Sequence, residues 1–386
     1  MSEDDDFSGH GEIRDAVRDL CSGFDDSYWL DLDRRSAYPG DFVGALTEAG
    51  FLAALIPEAY GGSGLPLSAA AAIMEEIQLS GCNGAACHAQ MYIMGVLLRH
   101  GSDEQKSRYL PKIASGELRL QAFAVTEPES GTDTASIRTT AKRDGDRYVI
   151  QGQKIWTSRA EHSDLMLLLA RTSPMDSGPK RTDGLSVLLL DMREAPGLTI
   201  RPIRTMMNHA TTEVFFDDVE IPAGNLIGEE GKGFRYLLSG LNAERILIGA
   251  ECIGDARWFI AKAVAYANQR VVFGRPIGQN QGIQFPIARA YAETEAAALM
   301  VAKAARLFDA GETPGAEANM AKMLAADASW HAADMCVQTH GGFGFAEEYG
   351  IERKFRETRL YQVAPISTNL ILTYIAEHVL GLPRSY

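Results

Sequence analysis

GFRYLLSGLNAERILIGAECIGDARWFIAKAVAYANQRVVFG, residues 233–274, is the stretch on which the reading of the whole chain turns. At 3.6 residues per turn, Leu237, Leu241, Ile248 and Cys252 fall on one apolar stripe of a long helix, and Glu244 sits in the middle of it. A carboxylate among apolar neighbours loses hydration. Its charged form is then disfavoured, and its proton affinity moves toward the range of a general base at neutral pH. The same position also suits a structural glutamate paired with Arg245.

Downstream, the pattern stays helical over 281–311, 316–340 and 369–380, with short loops that favour an antiparallel bundle. Upstream, from Gln121 to about Gly228, the period changes to short runs rich in β-branched and aromatic residues. Asp144-Gly145 and Gln151-Gly152 read as tight connections there, and residues 173–183 as an exposed loop, giving a compact β-barrel or sandwich. Residues up to about 118 read as helices over 11–24, 39–50, 67–80, 85–100 and 104–115. Ser102 and Asp103 offer side-chain acceptors to the free N–H groups at the start of the last of these. The order is helix, sheet, helix.

The 386 residues are 46% hydrophobic and 23% charged, the balance of a soluble globular chain with several cores. A net charge of −14 argues against a nucleic-acid surface and against adhesion to an anionic membrane, so an anionic ligand requires a local basic pocket. No run of eighteen apolar residues occurs, and the acidic start MSEDDDFSGHGE is unlike a secretory leader; no membrane insertion and a cytoplasmic location are expected. Cys21, Cys82, Cys87, Cys252 and Cys336 are scattered and read as buried free thiols. Cys82, Cys87 and His88 match no metal spacing, so no metal is expected.

Three short segments carry chemistry. AVTEPESGTD, residues 124–133, leaves a strand for a Gly- and Ser-rich turn whose N–H groups and hydroxyls suit phosphate oxygens or the polar edge of a heterocycle. KIWTS, residues 154–158, sets Trp156 beside Thr157 and Ser158. That suits stacking and hydrogen bonding on a flat ring, or equally a core tryptophan capped by surface hydroxyls. QTHGGFGF, residues 338–345, is a glycine-rich break where backbone can approach a ligand, or a plain helix junction.

In order and spacing these segments resemble the acyl-CoA dehydrogenase family across nearly the whole chain. AVTEPESGTDTAS is similar to the family's first signature and QTHGGFGFAEEYGIERKFRE, residues 338–357, to its second; KIWTS, RVVFGRPIGQNQ and FFDDVEIPAGNLIGEEGKGF fit its connecting segments. The resemblance implies a mainly α fold with a central β-barrel: an N-terminal α-helical domain (1–119), a β-barrel domain (120–228) and a C-terminal four-helix bundle (229–386). It implies a homotetramer, a dimer of dimers, with one FAD per subunit, an acyl-CoA substrate and an electron-transfer flavoprotein as acceptor. Carried over residue by residue, Phe123, Val125, Thr126, Gly131 and Thr132 would line the flavin, with Thr126 at its pyrimidine edge and Thr132 near the pyrophosphate and substrate. Trp156, Thr157 and Ser158 would meet the isoalloxazine ring, Ser158 reaching N5. Arg270, Val272, Phe273, Gln281, Gln338, Gly341 and Gly342 would hold the adenine half of a neighbouring subunit's FAD. Ser367 and Asn369 match the family's threonine and glutamine after its loop, and Asn242 and Arg245 would lie near the CoA moiety.

One departure matters. Most members carry the catalytic glutamate in a YEGT-like loop, and here an ungapped match puts Pro365 at that place. A minority, the isovaleryl-CoA and long-chain enzymes, carry it on the long helix within an LDLER-like segment, where this chain has Leu241-Asn242-Ala243-Glu244-Arg245. The resemblance thus implies Glu244 as the base of an α,β-desaturation giving a trans-2-enoyl thioester. In relatives the loop residue's backbone N–H helps to hold the thioester carbonyl. Proline has none, so either Ile366 or Ala364 donates or one donor is missing. A flavin oxidase, a dehydrogenase of carrier-bound acyl groups and a non-catalytic flavin-binding protein are the alternatives on the same fold.

Overall fold

The computed structural model describes residues 10–207 and 209–384. Of the described residues, those within 10–36, 66–84 and 242–384 group into one unit by their contacts and those within 37–65 and 85–241 into another. The N-terminal helices are α1 (Gly11–Cys21), α2 (Asp26–Arg35), α3 (Gly40–Glu48), α4 (Leu67–Leu79), α5 (His88–His100) and α6 (Asp103–Ala114). They divide between the units: α1, α2 and α4 belong to the first, and α3, α5 and α6 to the second. α6 opens on a reciprocal capping box, Ser102 accepting from the Gln105 N–H and the Gln105 side chain from the Ser102 N–H. α2 was not among the sequence-predicted helices; Asp25 starts it by accepting from the Ser27 and Tyr28 N–H groups.

The second unit is organised on one eight-stranded sheet. Its strands are β1 (Leu120–Ala124), β2 (Thr140–Asp144), β3 (Arg147–Ser158), β4 (Leu165–Arg171), β5 (Leu185–Asp191), β6 (Leu198–Pro202), β7 (Thr211–Pro222) and β8 (Leu226–Ile227). They run in the order β6-β7-β3-β2-β4-β5-β8, with β1 parallel on β4. Among the described residues the ladder does not close, because the end strands β6 and β8 do not pair; the expected barrel is an open sheet by its hydrogen bonds. β4 is buried along its whole length, which is why its sequence is a continuous apolar run rather than an alternating one. Asp144-Gly145 does lead from β2 into its tight connection to β3, whereas Gln151-Gly152, expected as a second tight connection, lies inside β3 at a break in register between Ile150 and Gly152. Glycine is required there: a Cβ at that place would come within 2.5 Å of the Thr139 hydroxyl.

The C-terminal elements are α7 (Gly233–Gln269), a hairpin of β9 (Val271–Val272) and β10 (Arg275–Pro276), α8 (Gln281–Asp309), α9 (Gly315–His340), α10 (Ile351–Arg359) and α11 (Thr368–Tyr374). α11 runs into a π-helical turn, Ile375–Val379, where the sequence pattern had one uninterrupted helix. From Asn242 on, α7 belongs to the first unit. It is not amphipathic there: nearly every residue from Asn242 to Ile260 is buried, including Glu244, Arg245, Glu251 and Asp255. The single stripe expected from periodicity is therefore too narrow, since α7 is enclosed by neighbours. A Cβ at Gly254 would sit 2.2 Å from the Glu75 carbonyl of α4, and one at Gly249 3.0 Å from Val301 of α8 and 3.7 Å from the backbone of Ala321 of α9.

Beneath α7 runs a buried polar chain. The Lys354 ammonium contacts Asp255 and donates to Gln78 Oε1 at 2.6 Å; Gln78 donates to Tyr361 Oη at 3.1 Å, and Tyr361 donates to Glu251 at 2.9 Å. Buried hydrogen-bonded chains of this kind favour one arrangement of the helices that contribute to them.

Candidate active site

In the sheet unit, β1 and the segment that follows it carry residues 123–126, and β3 carries residues 154–158. Phe123, Val125, Thr126 and Ser158 are partly exposed, and Gly131 and Thr132 are exposed. In a regular strand Lys154 and Trp156 would share a face. Instead the register with β7 breaks between Lys154 and Thr157, and Trp156 takes a left-handed backbone, φ 61°. The break turns Lys154 wholly inward and leaves Trp156 56% exposed. Bulky side chains seldom hold such a backbone unless their surroundings enforce it, and strain of this sort gathers at ligand sites. Thr157 is fully buried and its hydroxyl has no partner among the described residues, while Ser158 Oγ lies 3.4 Å from Thr211 Oγ1.

In the helical unit, Phe273 and Gly274 form the two-residue turn of the β9–β10 hairpin, with φ 52° and 78°. Such turns ordinarily take Asn-Gly, because both central residues need positive φ. A phenylalanine there is 100% exposed, beside exposed Arg270 and Val272. Gln281, Gln338, Gly341 and Gly342 are exposed too, and Arg270 stands over the Phe343 ring at 5.6 Å. A Cβ at Gly131, Gly341 or Gly342 would meet nothing within 4 Å. Within the sheet unit, a strained, exposed aromatic at Trp156, an open surface at Gly131 and the buried Thr157 hydroxyl suit a flat, polar-edged group such as FAD.

Glu244 is 4% exposed. One residue on, Arg245 donates to Asn242 Oδ1 at 3.1 Å; burial lowers its proton affinity, and the charges of Glu244 and Tyr374 oppose that. The loop 361–366, which the resemblance expects to carry an acid, has no carboxylate. It is tied down from α9: the buried Lys322 ammonium donates to the carbonyls of Tyr361 (2.6 Å) and Ile366 (3.0 Å). Burial lowers the proton affinity of Lys322 as well, against the nearby carboxylates of Asp327 and Glu244. The Val363 and Ala364 N–H groups both donate to the Leu360 carbonyl at 2.9 Å. Among the described residues the Ile366 N–H donates to nothing, so of the two amides left open by the sequence it is the free one. Ser367 caps α11 through the Leu370 N–H, and Asn369 is exposed.

Sequence reasoning missed Lys322, and the pairing of Glu127 with Lys154. A lysine amid the alanines of α9 was the available signal for the first, and the acid of AVTEPES with the base of KIWTS for the second.

Family models for the N-terminal, middle and C-terminal domains of acyl-CoA dehydrogenases match residues 8–117, 122–219 and 231–380. The chain is similar to acyl-CoA dehydrogenase fadE12 of Mycobacterium bovis, 37% identical over 379 residues, 97% of this chain and 96% of that one. It is 34% identical over 359 residues to cyclohex-1-ene-1-carbonyl-CoA dehydrogenase of Syntrophus aciditrophicus, 92% of this chain and 85% of that one. The structure of the glutaryl-coenzyme A dehydrogenase glutaryl-CoA complex matches with a TM-score of 0.90 and 30% identity over 97% of this chain and 96% of that one. The chain belongs to the acyl-CoA dehydrogenase family, whose members bind FAD. None of its described helices is long and apolar enough to cross a membrane.

Proposed function

We propose that this chain desaturates an acyl-CoA thioester to the trans-2-enoyl-CoA and that Glu244 is its base. The observation that carries this is a carboxylate on α7, buried to 4% exposure, in a chain whose 361–366 loop offers none. Bound FAD supplies a hydride acceptor for the β-carbon. Phe123, Val125, Thr126, Gly131, Thr132, Trp156, Thr157 and Ser158 would hold its ring and phosphate, Arg270, Val272, Phe273, Gln281, Gln338, Gly341 and Gly342 would hold the adenine half of a neighbouring subunit's FAD, and Ser367 and Asn369 stand at the family's threonine and glutamine positions after the loop. Glu244 takes the proton from the carbon next to the thioester carbonyl. Negative charge then develops on that oxygen, and donors aimed there lower the barrier. The free Ile366 N–H serves as the loop donor in place of proline. Lys322 keeps that loop in place, and Asn242 and Arg245 lie toward the CoA portion.

A proline beside Ala364 leaves the loop less polar, which suits a branched or cyclic acyl chain. The similarity to a dehydrogenase of a cyclic acyl-CoA supports this. Electrons pass to an electron-transfer flavoprotein, the protein works in the cytoplasm as a homotetramer, and its domains divide at 1–119, 120–228 and 229–386. Anaerobic mixing of the yellow protein with straight, branched and cyclic acyl-CoAs tests the reading: bleaching of the flavin by branched or cyclic substrates is expected. Bleaching by short straight chains alone would contradict the substrate class, and none by any thioester would contradict the reaction.

A further inference from the structure

Glu127 and Lys154 belong to the two segments assigned to the flavin, yet neither has a role in the chemistry. Both are buried, and they form an ion pair, Nζ to Oε1 2.9 Å. Lys154 Nζ also donates to the Val125 carbonyl at 2.8 Å. The Glu127 carboxylate accepts from the Arg138 N–H at 2.6 Å and from the Thr139 N–H at 2.9 Å. The Glu127 and Ser130 backbones exchange two hydrogen bonds, at 3.1 and 3.0 Å, and the Ile155 N–H donates to Thr126 O at 2.9 Å. Three stretches that are separate in sequence, 125–130, 138–139 and 154–155, therefore converge on one buried pair.

We infer that Glu127 and Lys154 are positioning residues that clamp the 125–130 turn to the Trp156 segment in the arrangement that receives FAD. The inference rests on the flavin assignment made above. Geometry gives the reason. The bulge that swings Trp156 outward is the one that drives Lys154 inward, so the lysine's hold on Val125 O and Glu127 fixes where the exposed indole stands relative to the turn. Without the ammonium, Val125 O loses its donor and Glu127 its counter-charge. The turn can then drift, and a site misplaced by a fraction of an ångström binds less well.

Burial lowers the Lys154 proton affinity to about 8, with Glu127 opposing that and Arg171, the other charge facing it, adding to it. FAD carries an anionic pyrophosphate. If its binding draws on the protonated clamp, affinity falls as pH rises past about 8, by linkage.

The test is titration of the full-length apoprotein with FAD, read by quenching of flavin fluorescence, for the wild type, Lys154→Met, Glu127→Gln and the double variant. Each single substitution is expected to weaken FAD binding at least about tenfold. The double is expected to cost no more than the worse single, because the pair acts as a unit. The wild-type affinity is expected to fall above about pH 8 and that of Lys154→Met to stay level. Glu127→Gln keeps the shape of the site and covers the case in which Lys154→Met does not fold. Unchanged FAD affinity in a folded Glu127→Gln variant, or strictly additive losses, would overturn the clamp. A wild-type apoprotein that binds no FAD would instead overturn the flavin assignment itself.

Discussion

Lys154 and Lys322 are both buried lysines, and each holds the backbone of a loop assigned to the site, but they do so differently. Lys154, in the sheet unit, is neutralised by a carboxylate in direct contact, and one of its acceptors is a carbonyl. Lys322, in the helical unit, has two carbonyls for acceptors and feels Asp327 and Glu244 only through their fields. Removing one partner of a buried ion pair leaves an uncompensated charge, whereas removing a donor from neutral carbonyls leaves only unmet hydrogen bonds. The sheet unit therefore depends on its lysine for stability as well as shape. The helical unit uses its lysine mainly to hold a loop and to place a positive charge within reach of Glu244.

Three substitutions sharpen this contrast, from the largest effect down. Lys154→Met is expected to cost about 3–5 kcal/mol in urea unfolding of the apoprotein, the range for orphaning a buried charge. A loss under about 1 kcal/mol would mean that Glu127 is content with its two amides. Lys322→Met is expected to cost about 2 kcal/mol and, where folded, to slow flavin reduction by acyl-CoA more than it weakens FAD binding. The reverse order would detach Lys322 from the loop's role. In a Glu244→Gln background, adding Pro365→Glu returns an acid to the loop and is expected to recover about tenfold in reduction rate, measured by stopped flow. No recovery would show that the loop cannot present an acid to the same carbon.

Lys154 also makes a pH test. The folded value of Lys154, about 8, lies below its ordinary 10.5. In that window the unfolded chain binds the extra proton, so this group's contribution to stability rises with pH. Urea midpoints measured at about pH 8 and about pH 10 are expected to show a more positive slope for the wild type than for Lys154→Met. Equal slopes would place the lysine's titration elsewhere.

Much of this could be seen in the sequence, because caps, glycine breaks and the order of the motifs are local signals. α6 began at its capping box, and all five cysteines are free and buried as expected. α2 was missed because DSYWLDLDRR is too polar to show a stripe, although Asp25 was a legible cap. Gly152 resembled a turn glycine because the closeness of Thr139, which leaves no room for a Cβ, is a tertiary fact. Periodicity put Glu244 on an apolar stripe but could not show that α7 is enclosed on its other sides as well. Alternation could not show that Lys154 faces inward while Trp156, two residues on, faces out; a register break decides that, and strand composition does not report it.

The account depends most on what Glu244 does. Anaerobic stopped-flow reduction of the FAD-loaded Glu244→Gln variant by a substrate that bleaches the wild type tests it directly. Retained FAD with a reduction rate lower by about 10²–10⁴, the usual worth of a positioned general base, is the expected result. Reduction at the wild-type rate with FAD still bound would contradict it.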